Sequence, residues 1–230
     1  MEPSKTSSAP RNLSLALLAA VFFLGLAVTG SVFTAERFRL ESGVVDKAEQ
    51  KCGKEARKRL VAWEALLSKD IDSDMKKLKR VNDFFNKMIF FVNDIELYAV
   101  KDYWATPVEF LCHGAGDCED YAIAKFFSLK TLGVEEGKLR MAYVKSLTYN
   151  EMHMVMAYYS TPSAEPLILC NQIDEIKPAS QRKDLMPIFT FNVTGLWLAH
   201  ERGQGKLAGK SSRLTAWTDL QQRMASNNIN

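Results

Sequence analysis

Apolar residues change their period along this chain, and that change limits the fold more than any single motif does. Between Val45 and Ser68, Leu60, Trp63, Leu66 and Leu67 fall at helical spacing with lysines and arginines between them. Asp72, Ser73 and Asp74 offer caps for a second helix, in which Leu78, Val81, Phe85, Met88 and Ile89 recur as far as about Phe91. From Asp102 to Pro107 the chain is expected to be extended, because the residue before a proline is disfavoured in a helix. A loop then leads into Gly114-Ala115-Gly116. A third helix follows over Asp117–Leu132, with Tyr121, Ala124, Phe127 and Leu132 on its apolar face and Gly133 ending it. Beyond it the pattern alternates as strands do, over Leu139–Lys145, Met152–Tyr159, Pro166–Cys170 and Phe189–Leu198. After Gly203, a short amphipathic stretch around Leu214, Trp217 and Leu220 reads as a peripheral helix or a mobile tail. Helices first and sheet second give an α+β fold with an antiparallel sheet.

The 230 residues, 47% hydrophobic and 25% charged, suit one sizeable core. A formal net charge of +3, with acidic and basic residues mixed, gives no basic stripe for nucleic acid and no polybasic membrane patch. At the N-terminus, Lys5 and Arg11 precede an uncharged apolar run from Leu13 to about Phe33. This run reads either as a secretory signal with Val28-Thr29-Gly30 as the cleavage site, or as a membrane anchor, since spanning takes about 20 apolar residues. Both readings export the domain. The expected organisation is an export segment over 1–35, a catalytic domain over 36–202 and the tail over 203–230.

Four cysteines, Cys52, Cys112, Cys118 and Cys170, show neither a CxxC pair nor zinc-ligand spacing with the three histidines. Two of them can pair in an oxidising compartment, and their spacing does not say which. Cys118 stands apart by its context. It follows Gly-Ala-Gly-Asp and opens a helix, where the positive helix end favours a thiolate and the first N–H groups can face an oxyanion. The imidazole such a thiol needs is best supplied by His153, in the strand segment Met152–Met156, on the same strand face as Val155 and Ala157. His113, which precedes the glycine turn, is the second choice, and His200 is the remaining histidine.

These residues resemble the bacterial transglutaminase-like cysteine proteinases. The likeness rests on Trp104-Ala105-Thr106-Pro107, on Gly114-Ala115-Gly116-Asp117-Cys118-Glu119-Asp120-Tyr121-Ala122-Ile123-Ala124-Lys125, on His153-Met154-Val155 and on Ala179–Leu185, and it spans about 45–200. It implies a papain-like core with Cys118 as nucleophile and His153 as its base. It implies calcium as cofactor, held by Asp117, Glu119 and Asp120, whose hard oxygens suit that ion. It also implies a periplasmic endopeptidase that cuts a large surface adhesin near its N-terminus between adjacent alanines. An inner-membrane receptor that senses cyclic-di-GMP is the implied inhibitor.

The chain departs from the family at the third catalytic position. Relatives carry an aspartate there in a Leu-Asp-Asn context, whereas this chain reads Leu169-Cys170-Asn171. An aspartate would fix the imidazole tautomer, and disrupting that partner in a serine protease costs about 10⁴ in turnover. Several arrangements stay open at this point. Asn171 or Asp174 takes the role, Cys170 serves as a thiolate, Cys170 and Cys118 form a redox pair, or the protein is a catalytically impaired binding or decoy module. Transfer to another amine, or cell-wall amide hydrolysis, is a further chemistry on the same scaffold. Trp104 and Trp197 are aromatic candidates for partner contact, with core packing as their ordinary role.

Overall fold

A computed structural model describes residues 38–198 and 205–226. The apolar run at 13–33 and His200 lie outside the described residues. Among those described, no helix is long and apolar enough to cross a membrane.

The first expected helix is two. Helix α1 (Val44–Cys52) and helix α2 (Lys54–Leu67) are separated by Gly53, whose φ of 84° is a left-handed value that breaks the hydrogen-bond ladder. Helix α3 (Asp74–Met88) starts where expected, with Ser73 Oγ accepting from the N–H of Lys76. It stops before Phe91, because Phe90–Phe91 forms strand β1, parallel to Ala115–Gly116, strand β2. Both phenylalanines are exposed. A short helix, α4, covers Asp94–Leu97.

The segment expected to be a loop before the glycines is largely helix α5 (Pro107–His113). Thr106 Oγ1 accepts from the N–H of Glu109, and Glu109 Oε2 accepts from the N–H of Thr106, which closes a capping box, with Pro107 at the first helical position. Helix α6 (Cys118–Thr131) is buried almost all round. Trp63 reaches it from α2, its Nε1 donating to Ser128 Oγ at 2.8 Å.

The sheet comprises β3 (Leu139–Ser146), β4 (Glu151–Tyr158), β5 (Leu167–Leu169), β6 (Lys177–Pro178), β7 (Leu185–Phe191), β8 (Gly195–Leu198) and β9 (Lys206–Lys210). Their order is β6-β5-β4-β3-β7-β8-β9 and every pairing is antiparallel. The strand expected over Phe189–Leu198 is β7 turned into β8. Asn192 Oδ1 accepts from the N–H groups of Thr194 and Gly195 and so makes the reversal.

Alternation divides the sheet cleanly. Met141, Met154, Met156 and Leu169 face the helices and share one core with Phe85, Phe110 and Ile123. Ala142, Val144, Val155, Ala157, Ile168 and Cys170 form a second, smaller cluster on the other face. The C-terminal stretch is helix α7 (Thr215–Ser226), and it is packed rather than peripheral. Trp217 and Leu220 are fully buried, and Trp217 stacks on Phe127 at 5.9 Å. Arg223 of α7 donates to buried Glu109 Oε2 at 2.7 Å and to the carbonyl of Trp104 at 2.6 Å.

The cysteines sort themselves by place. Cys52, closing α1, is bonded to Cys112 in α5, while Cys118 and buried Cys170 are free.

Candidate active site

Cys118 is the first residue of α6, reached from the parallel pair β1–β2. Gly116, two residues before it, is required by contact. A Cβ on Gly116 would collide with Asp120 Oδ2 and with the Phe110 ring. Asp120 is fully buried, its Oδ1 accepting from the N–H of Ala105 at 2.7 Å and its Oδ2 from that of Asp117 at 3.3 Å. One carboxylate thus ties the segment before α5 to the entry of α6.

Cys118 and His153 line one cleft of about 720 Å³, with Trp104, Tyr143 and Phe189 among its walls. His153 lies near the start of β4, which β5 leaves uncovered because it ends opposite Met156. The Cys118 thiol is turned to Glu119 Oε2, 3.0 Å away, and no hydrogen bond joins it to His153. Burial pushes the Cys118 thiol well up, and the charges of Glu119 and Asp117 add to that. Burial also pushes His153 down to about 4, assisted by Arg182 and Lys125, so its imidazole is neutral at pH 7.

His153 shares its strand face with Val155 and Ala157, and there it meets Cys170. Nε2 lies 3.2 Å from Cys170 Sγ, with His153 2% and Cys170 1% exposed. Asn171 Oδ1 is buried without a hydrogen-bond partner, and Asp174 Oδ1 accepts from Asn86 instead. His113 packs its ring on Tyr98 and is absent from the cleft wall. Trp104 stacks on Phe191 at 5.6 Å, and Trp197 lies under the guanidinium of Arg140.

The acidic residues converge with two others that sequence spacing did not nominate. Asp117 groups with Asp94 and Asp120, and Glu119 with Asp94 and Asp102. Asp94 is buried and receives the N–H of Tyr103 on Oδ2. Its Oδ1, like Asp117 Oδ1, is buried without a partner. Burial pushes the Asp94 carboxyl up to about 6, and burial with the Asp117 charge pushes Glu119 up to about 10. Several acids crowded in low dielectric, with two oxygens unsatisfied, are a donor set suited to a hard divalent cation such as calcium.

The family model described as bacterial transglutaminase-like cysteine proteinase matches residues 45–184. Among solved structures the chain is similar to Legionella pneumophila LapG in its EGTA-treated form. Identity is 40% and the TM-score 0.70, over 82% of this chain and 99% of that one. The calcium-bound form of the same protein matches with 42% identity and a TM-score of 0.67, over 78% and 97% of the respective chains. A search of curated proteins found no match. With the helix-start cysteine packed on an antiparallel sheet, these likenesses settle the assignment: the chain belongs to the bacterial transglutaminase-like cysteine proteinases and is a cysteine protease of that family.

Proposed function

We propose that this protein is a periplasmic endopeptidase that cuts a large surface adhesin near its N-terminus, at adjacent alanines, with Cys118 as nucleophile and His153 as general base. The observation that carries the assignment of roles is the meeting of Cys118, at the first turn of a buried helix, and His153 on the wall of a single cleft. The reaction begins when the Cys118 thiol loses its proton to His153 and its sulfur attacks the scissile carbonyl. The C–N bond breaks as His153 returns that proton to the leaving amine. Water then attacks the thioester, giving up a proton through His153, and the Cys118 thiol is restored. The N–H groups at the start of α6 are the proposed donors to the negative charge that develops on the scissile carbonyl oxygen.

Calcium is the proposed cofactor, held by Asp117, Glu119 and Asp120 together with Asp94 and Asp102. When bound, it supplies positive charge to the crowded carboxylates and order to the loop that presents Cys118. The proposed inhibitor is an inner-membrane receptor that senses cyclic-di-GMP.

Cleavage of a di-alanine-containing adhesin fragment by the purified protein, with calcium and reductant, tests the proposal. Wild type cuts and Cys118→Ala does not. Cys170 favours one other reading, a binding or decoy module without turnover. An inactive wild type that still binds the fragment, and gains turnover in Cys170→Asp, would establish it.

A further inference from the structure

Cys170 Sγ sits among three nitrogens. His153 Nε2 is 3.2 Å away, the backbone nitrogen of Gln172 3.4 Å, and Arg182 Nη2 3.9 Å. Arg182 is itself 3% exposed. It is held by a two-pronged pair with Asp184, Nε to Oδ1 at 3.0 Å and Nη2 to Oδ2 at 2.7 Å. Its Nη1 is buried without a partner.

A guanidinium and a backbone N–H are donors only. Two donors, one of them cationic, therefore already address the Cys170 sulfur. A neutral imidazole donates through one nitrogen and accepts through the other, so the contact with Nε2 has two forms. In one, the thiol donates to Nε2 and the ring proton sits on Nδ1. In the other, Nε2–H donates to sulfur and Nδ1 is bare. A positive charge beside the sulfur favours the form in which sulfur is the electron-rich partner, and this is the second.

We infer that Arg182 is a positioning residue: with the Gln172 N–H it makes Cys170 an acceptor, which holds His153 in the Nε2–H tautomer and leaves Nδ1 free to take the proton of Cys118. The inference rests on the proposed roles of Cys118 and His153. It explains how the chain can lack the aspartate without losing its function, since an acceptor-only carboxylate and a sulfur flanked by cation and N–H impose the same tautomer. Lys125 and Asn86 secure the other side of Cys170. Asn86 Nδ2 donates to the Cys170 carbonyl at 2.9 Å, and Lys125 Nζ donates to Asn86 Oδ1 at 2.7 Å.

The test is ¹⁵N NMR of histidine-labelled protein at pH 7, where the imidazole is neutral and three histidines give few signals. His153→Gln assigns the resonance. The expected result is the Nε2–H tautomer in wild type, a shift toward Nδ1–H in Arg182→Met, and return of Nε2–H when Cys170→Asp is added to Arg182→Met. In parallel, kcat falls roughly tenfold or more in Arg182→Met with KM unchanged, and the double variant recovers it. An Nδ1–H tautomer in wild type overturns the inference, and that reading needs no variant to fold. A tautomer unchanged by Arg182→Met overturns it as well. Because the tautomer is read without substrate, a wild type that shows the expected tautomers yet never cleaves contradicts the proposed function and leaves the role of Arg182 standing.

Discussion

Lys125 donates to Asn86 inside the core, Nζ to Oδ1 at 2.7 Å, on the same helix that Cys118 begins. Burial lowers the Lys125 ammonium to about 7, against the pull of Cys170 and Asp174. Between pH 7 and about 10.4 the unfolded lysine binds a proton that the folded one has lost, so stability rises with pH across that window. Relative to Lys125→Met, wild type should gain about 2 kcal/mol between pH 7 and pH 9, read from urea denaturation. Parallel curves for the two proteins would show that Lys125 stays charged.

His153 gives a dependence of the same sign on the acid side. Its folded value near 4, set by burial and then by Arg182 and Lys125, with Asp184 opposing, lies below the unfolded value of about 6.5. The unfolded state therefore binds more protons between pH 6.5 and pH 4, and stability falls as pH drops through that range. NMR titration of Cys118→Ala protein should show no imidazolium at His153 until pH nears 4. A midpoint near 6.5 would place the ring in water.

The Cys52–Cys112 bridge closes a loop of 60 residues and ties α1 to α5, the helix that precedes the glycine turn. On the chain-entropy view its removal costs about 4 kcal/mol. Cys112→Ala should lower stability by roughly that amount in denaturant titration, and reductant should do the same to wild type. An unchanged midpoint under reductant would mean that the bridge contributes nothing.

Arg223 bridges the C-terminal helix to the cleft wall, since it holds both Glu109 and the Trp104 carbonyl. Arg223→Ala leaves the buried Glu109 charge without that partner and should cost about 3 kcal/mol. Turnover should fall with it, because Trp104 lines the cleft. A loss below 1 kcal/mol would show that other contacts hold α7.

Metal removal should be visible without substrate. With calcium 100-fold above its Kd, linkage contributes about 2.7 kcal/mol, which in a chain of this size raises Tm by roughly 5–10 °C. Asp94→Asn combined with Asp117→Asn should abolish that rise and gain stability in EGTA, because the crowded acids are relieved. A calcium-induced rise that survives both substitutions would move the site elsewhere.

What was legible in the sequence is what depends on neighbours in the chain. The Gly-Asp-Cys118 helix start, the strand face of His153 and the shift from helical to alternating period are all local patterns, and the structure carries each of them. Cys170 was readable as a substitution, and the structure adds the contact with His153 Nε2. Helix α5 had its signal in Thr106-Pro107-Val108-Glu109, a capping box with proline at the first turn, which the extended reading of the proline overrode. Gly53 likewise marked the break between α1 and α2. Asp94 and Asp102 had no such signal, because only the tertiary approach of their segments to α6 gathers them with Asp117 and Glu119. The same holds for Arg182, which reaches Cys170 only through the fold, and for the choice of Cys52 and Cys112 among four cysteines.

The proposed reaction has Cys118 cleaving protein with Cys170 in the place of the aspartate. Its most direct test is cleavage of a di-alanine adhesin fragment, with calcium and reductant, by wild type, Cys118→Ala and Cys170→Asp side by side. Wild type is expected to cleave, Cys118→Ala not to cleave, and Cys170→Asp to turn over within about tenfold of wild type. A wild type that binds the fragment without cutting it, beside an active Cys170→Asp, would show that Cys170 does not stand in for the aspartate.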